Sequence, residues 1–124
     1  KYKLSGIVAT NTTVQRPKAE HQSSEKVYQE KGGLSGAPLR VQSTEMIRKI
    51  FKMTNGKVPI IGVGGILTAG DAWEKIKAGA SILQLYTGLV FEGPGIAKSI
   101  VKGLKKRIES EGFESIAEAV GIEA

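Results

Sequence analysis

Apolar residues in this chain gather in three short continuous runs, and after each run they return at helical spacing. The first run, "LSGIVATN" (4–11), is short, rich in β-branched residues and stops at Asn11, as a buried strand does. The second, "VPIIGV" (58–63), is continuous rather than alternating, the pattern of a parallel strand covered on both faces, with Pro59 tolerated near its start. The third is "ASILQLYTG" (80–88). Between the first and second runs, Met46, Ile47, Ile50 and Phe51 recur at helical spacing and read as a core stripe. Ser43 is the expected N-cap of that helix and Asn55-Gly56 its stop. After Gly64-Gly65, Thr68 and Asp71 predict a capping box for a helix carrying Ala72, Trp73 and Ile76 and ending at Gly79. After the third run, Pro94 suits a first helical turn, and Ile96, Ile100, Leu104 and Ile108 are spaced by four up to Gly112. Ser115 and Glu118 predict the cap of a last short helix through Val120 to Gly121.

Two stretches interrupt this order. From Arg16 to Lys31, "RPKAEHQSSEKVYQEK" is polar and without apolar periodicity, so residues 16–31 read as a mobile surface loop. "GGLSGAPL" (32–39) packs three glycines and a proline into one loop, whose backbone must turn tightly or approach something closely. The succession of strand and helix, three times over, is that of parallel βα units joined by right-handed crossovers. Three such strands leave a parallel sheet incomplete, and a (β/α)8 barrel takes about 250 residues, twice this chain. The expected fold is therefore α/β: the C-terminal half of a (β/α)8 TIM barrel, about strands six to eight with their helices. Residues 1–124 are read as a portion of a single domain, with a C-terminus that looks like a domain end and an N-terminus that does not.

Composition narrows the chemistry. With 124 residues, 40% hydrophobic and 24% charged, the chain falls in the soluble globular class. No apolar run approaches the roughly 20 residues of a membrane-spanning helix, and the first residues lack the pattern of a secretory signal. The absence of cysteine excludes disulfides, thiolate metal sites and a cysteine nucleophile, while the single histidine, His21, leaves no pair to hold a metal. The net charge of +6 is scattered except in "KSIVKGLKKR" (98–107), which reads as an amphipathic helix with a solvated basic face. A small basic nucleic-acid-binding domain is the non-enzymatic alternative. It needs exposed aromatics among its cations, and the one Trp, three Tyr and three Phe lie mostly in apolar stretches. Excess positive charge also suits a phosphate-bearing ligand.

Gly64-Gly65 and Thr87-Gly88 each follow an apolar run. In (β/α)8 barrels the active site lies at the C-terminal ends of the strands, with a phosphate often held by the loops after the seventh and eighth. Backbone N–H groups at these turns can point at one phosphate without a Cβ obstructing it, and the Thr87 hydroxyl adds a donor. Tight loop geometry accounts for the glycines equally well.

Four segments in order, "ATNTT" (9–13), "GGLSGAPL" (32–39), "VPIIGVGGI" (58–66) and "AGASILQLYTG" (78–88), resemble the C-terminal part of dihydroorotate dehydrogenase of the membrane-associated, quinone-dependent class 2. The tail "GFESIAEAVG" (112–121) is similar to the class 2 ending, so the likeness covers nearly the whole chain. The resemblance implies an FMN-containing barrel that oxidises dihydroorotate to orotate in pyrimidine synthesis and passes the electrons to a quinone. By the same likeness Thr10, Ser35 and Gly36 contact FMN, and Gly64, Gly65, Tyr86 and Thr87 hold its phosphate. Asn11 and Thr12 bind dihydroorotate. An Asn carboxamide offers donors and an acceptor to a ring bearing amide and carboxylate groups, and Thr12 adds a hydroxyl.

The resemblance places no catalytic base in this segment. The family's class 2 base is a serine on a loop of the earlier half, and the lysine near the flavin and the helices of the quinone tunnel are also upstream. Ser35 matches the glycine-rich loop and does not inherit that role. The implied partners are dihydroorotate and orotate, the remainder of the barrel, and a quinone reached through the N-terminal region, with no nucleic acid. The full-length protein would associate peripherally with a membrane: the mitochondrial inner membrane in a eukaryote, the cytoplasmic side of the inner membrane in a bacterium. The isolated segment is expected to be inactive. The segment from Arg16 to Lys31 is longer than the family leads one to expect. Alternatives are a class 1 dihydroorotate dehydrogenase or another FMN- or phosphate-binding barrel enzyme of the inosinate-dehydrogenase kind, and "TNTT" together with "LYTG" argues against them.

Overall fold

A computed structural model describes residues 3–16, 26 and 28–124. Three parallel strands, β1 (Ile7–Ala9), β2 (Ile60–Val63) and β3 (Ile82–Gln84), lie side by side in chain order. A 3-10 turn at Ala37–Leu39 leads into helix α1 (Arg40–Thr54) between β1 and β2, and α2 (Ala69–Lys77) joins β2 to β3. After β3 come a short helix α3 (Thr87–Glu92), the long helix α4 (Gly95–Glu111) and a 3-10 turn at Ile116–Ala119. These are the expected βα units.

The register explains which face the helices cover. Ala9, Gly62 and Leu83 stand in one row across the sheet, and Val8, Ile61 and Ile82 in the next. Side chains of adjacent rows point to opposite faces. On the first face Ala9 is buried with Ile47 of α1, and Leu83 packs against all three core clusters. Gly62 is what lets α1 sit so close: a Cβ there would stand 2.8 Å from the Ala80 Cβ and 3.1 Å from the Ile47 Cδ1. On the second face Val8 and Ile82 remain 59% and 56% exposed. Helices α2 and α4 close the remaining core through Ala72, Ile96 and Ile100, and Trp73 meets Phe113 with ring centroids 6.1 Å apart.

Local sequence signals place most boundaries. Asn55 (φ 50°) and Gly56 (φ 67°) adopt the left-handed backbone that ends α1. The Thr68–Asp71 capping box is formed as expected. Three expectations are corrected. Helix α1 starts at Arg40, directly continuing the proline-containing 3-10 turn, so Ser43 is an interior, fully buried residue rather than an N-cap. Met46 is 46% exposed, leaving Ile47, Ile50 and Phe51 as the core stripe. The tail from Ile116 to Ala119 is a 3-10 turn, where Ser115 makes no capping bond and the Glu118 carboxylate instead accepts from the Glu114 N–H at 3.0 Å.

Of the polar loop 16–31, residues 17–25 and 27, His21 among them, lie outside the described residues. Its two ends are tied together by Arg16. That guanidinium donates to the carbonyls of Thr13 (3.1 Å), Tyr28 (2.8 Å), Glu30 (3.2 Å) and Gly32 (2.7 Å). Beside it, Thr13 and Leu34 exchange both backbone hydrogen bonds in an antiparallel bridge. Among the described residues no helix is long and apolar enough to cross a membrane.

Candidate functional site

The C-terminal ends of β1 and β2 and the first turns of α1 meet at one carbonyl. Val63 O, the last acceptor of β2, takes the N–H of Thr10 at 3.1 Å and the hydroxyl of Ser43 at 2.5 Å. The chain then turns through Gly64 (φ 114°) and Gly65 (φ 69°), both in backbone conformations that L side chains rarely adopt. A Cβ on Gly64 would meet Leu39 and Ser43 at 3.0–3.1 Å, and one on Gly65 would meet the Arg40 backbone at 2.7 Å. Both missing side chains would therefore point at the start of α1. The glycines bring this turn against that helix, a reason different from the expected clearance for a ligand.

Opposite this turn, β3 is followed by Leu85 and Tyr86, and α3 begins at Thr87. The Thr87 hydroxyl donates to the Ser35 hydroxyl at 2.9 Å, and a Cβ on Gly36 (φ 81°) would lie 3.1 Å from the Thr87 Cγ2. Gly88 lets α3 approach the neighbouring loop, since a Cβ there would stand 2.5 Å from the Ile66 carbonyl oxygen. At the end of β1, the Asn11 side-chain oxygen accepts from the Thr12 N–H at 2.8 Å. The amide NH2 is then the end of Asn11 that a ligand can use.

These segments enclose a cleft of about 200 Å³. Every residue expected to bind a ligand lines it: Thr10, Asn11 and Thr12 just after β1, Ser35 and Gly36 from the glycine-rich loop, Gly64 and Gly65 after β2, and Tyr86 and Thr87 after β3. Leu39, Ile66 and Leu85 add apolar walls that sequence reading did not single out, and Gln84 and Gly88 complete the rim. Among the described residues this lining holds no Asp, Glu, His, Lys or Arg. The Thr10 hydroxyl is buried and has no hydrogen-bond partner among the described residues. A buried polar atom left so is costly, and a ligand's polar atom satisfies it. Gly33 does not line the cleft but packs behind one of its residues. A Cβ there would fall 2.5 Å from the Thr12 Cβ, so the glycine-rich loop packs directly over Thr12.

A polar cluster lies beneath the Gly64-Gly65 turn. Asp71, 5% exposed, accepts from Arg40 at 2.6 Å, from the N–H groups of Leu67 (3.1 Å) and Thr68 (2.8 Å), and from the Thr68 hydroxyl (2.9 Å). Burial pushes its carboxyl up, but the hydrogen bonds from Arg40, Leu67 and Thr68 together outweigh it and hold the group below the usual carboxylate range. The stabilisation is therefore full at neutral pH, fades as pH falls through the ordinary carboxylate range and is lost once the folded state is protonated. Asp71→Asn should lower stability at pH 7 by about 1–3 kcal/mol, the cost of a weakened cap and an unpaired buried contact. Urea unfolding should show the gap to wild type closing in acid. A gap that stays constant would contradict this.

Lys75 is fully buried. Its ammonium donates to the hydroxyls of Ser43 and Thr44, each at 3.0 Å, and to the Arg40 carbonyl at 3.4 Å. Burial pushes it down to about 8. Sequence pattern gave no sign of it, because Lys75 and the surface lysines around it look alike until the helix is packed.

The profile of the dihydroorotate dehydrogenase family matches residues 1–108. This chain belongs to the dihydroorotate dehydrogenase family. A protein named dihydroorotate dehydrogenase (quinone) from Trichodesmium erythraeum is 54% identical over 98% of the chain, and one of the same name from Nostoc punctiforme is 52% identical over 98%. The chain spans about a third of these relatives, 33% and 34% of their lengths, and corresponds to their C-terminal part. The crystal structure of a ligand-free dihydroorotate dehydrogenase from Eimeria tenella superposes with a TM-score of 0.89 at 40% identity, covering 97% of this chain and 32% of that one. The fold is thus the expected α/β class, the C-terminal portion of the dihydroorotate dehydrogenase barrel. Among the described residues no group of three metal-ligating side chains comes together.

Proposed function

We propose that this chain is the part of a quinone-dependent dihydroorotate dehydrogenase that holds the phosphate side of FMN and one edge of dihydroorotate. What carries the reading is the cleft: nine positions drawn from four separate motifs converge on it at the carboxyl ends of three parallel strands. Its residues fit the cofactor. The buried Thr10 hydroxyl, without a partner among the described residues, calls for one from a ligand, Thr87 stands in the first turn of α3 with its hydroxyl on Ser35, and Leu39, Ile66 and Leu85 offer an apolar wall. When bound, FMN supplies the hydride acceptor for dihydroorotate oxidation.

The residues of this chain bind and orient. Asn11 presents its amide NH2 and Thr12 its hydroxyl to the substrate, from the end of the same strand whose Thr10 serves the cofactor. Among the described residues no Asp, Glu, His, Lys or Arg lines the cleft. The proton acceptor in this reading stands elsewhere in the protein, as do the quinone site and the contact with a membrane. The half-exposed Val8 and Ile82 favour covering of this sheet face by the rest of a barrel, since parallel sheets are buried on both sides.

The test uses the full-length protein. It should purify with a flavin spectrum that dihydroorotate bleaches without oxygen and that a quinone restores. A colourless protein, or a flavin indifferent to dihydroorotate, would overturn the proposal.

A further inference from the structure

Among the described residues the cleft has no charged wall, yet a buried cation stands behind it, two hydrogen bonds from the Val63 carbonyl in its lining. Among the described residues Lys75 forms no ion pair: its hydrogen bonds go to the neutral oxygens of Ser43, Thr44 and Arg40. The nearby carboxylate, Asp71, is already engaged by Arg40 and by the Thr68 cap. Burying an ammonium in this way is expensive, and an apolar side chain of the same length would pack without that cost. The cost points to a use.

The connection runs directly to the ligand-binding turns. Lys75 donates to Ser43, Ser43 donates to Val63 O, and the same carbonyl accepts from Thr10. Val63 precedes Gly64, whose missing Cβ would touch Ser43 at 3.1 Å. A cation at the head of such a chain polarises each bond in it.

We propose that Lys75 is a positioning residue and the buried counter-charge for the phosphate monoester held at the Gly64-Gly65 turn, acting through Ser43 and Val63. This rests on the FMN reading above and adds to it a source of positive charge behind the neutral donors of this chain. The ordinary bonds of backbone and hydroxyl fix the anion, while the ammonium behind them supplies a field little weakened by water.

The pH dependence follows from the groups that face Lys75. Asp71 and Glu74 of α2 favour its charged form, Arg40 of α1 disfavours it, and burial outweighs all three. Without ligand the ammonium loses its proton as pH rises through about 8. A bound dianion favours the protonated lysine, so affinity for a phosphate monoester should fall across that range. Flavin without the phosphate should not respond.

The experiment measures affinity of the full-length apoprotein for FMN and for riboflavin, by fluorescence, from about pH 7 to 9.5. Wild type should lose about tenfold in FMN affinity across this range, with riboflavin unchanged. Lys75→Met should bind FMN about tenfold or more weakly at pH 7, bind riboflavin as wild type does, and show no pH step; Lys75→Arg should recover part of the loss. Equal weakening of both flavins would reduce Lys75 to a packing role and overturn the proposal, as would an unchanged FMN affinity. Should Lys75→Met fail to fold, the wild-type arm decides: an FMN to riboflavin ratio that is flat with pH sinks the assignment. A wild-type apoprotein that binds neither flavin removes the FMN reading itself.

Discussion

Gly65→Val in the full-length protein should give an enzyme nearly free of flavin and several degrees less heat-stable. A valine at φ 69° is strained whatever its surroundings, and its Cβ would stand 2.6–2.7 Å from the Cα, Cβ and N of Arg40. Left-handed backbone costs an L residue about 1–2 kcal/mol and overpacking about 1–3 kcal/mol more. Relief can come only by moving the turn or the first residue of α1. Either movement disturbs Val63, and with it the shared anchor of Thr10 and Ser43. The flavin is thus lost because its cradle shifts against α1, not because a side chain fills its place. Flavin absorbance per protein and a thermal melt check both halves. Stoichiometric flavin at the wild-type melting temperature would refute the account, while a lowered melting temperature with full flavin would confine Gly65 to packing.

The difference between those two explanations of Gly65 shows where a sequence stops being informative. The Thr68–Asp71 box was legible because its bonds join residues three apart. The strands were legible because continuous apolar runs need burial on both faces. The nine cleft residues were legible through motifs, although spacing alone left tight turns and phosphate binding equally plausible. What stayed hidden depends on contacts between distant segments. Ser43 resembles any helix-capping serine, yet its hydroxyl meets a carbonyl twenty residues later. Lys75 resembles its solvated neighbours until α1 covers it. Helix α3, with six residues, is too short to show a period, so the start of the last helical region was placed beyond Pro94 alone. Met46 fell on the right side of a helical wheel and still faces outward, because the surface it approaches is not covered within the described residues.

Asn11→Ala should separate substrate recognition from cofactor binding. Asn11 and Thr10 are consecutive residues at the end of β1, yet their environments differ: the Thr10 hydroxyl is buried, whereas Asn11 is exposed at the cleft. The two neighbours therefore stand in different surroundings, and the end of one strand can serve two ligands. The Asn11 oxygen is held by the Thr12 N–H, which directs the amide NH2 toward acceptors such as the carbonyls and carboxylate of dihydroorotate. Alanine removes both that donor and the bond that orders Thr12. The loss should be on the order of 1–3 kcal/mol, roughly ten- to a hundredfold in kcat/KM. Asn11→Asp should be worse than alanine, since a carboxylate repels the substrate's own. Flavin content should stay normal in both, because the bonds of Thr10 N–H and Thr87 are untouched. Rapid-mixing measurement of flavin bleaching by dihydroorotate, without quinone, isolates the step. Wild-type bleaching at low substrate concentration would remove Asn11 from the substrate site, and loss of flavin together with bleaching would place it with the cofactor instead.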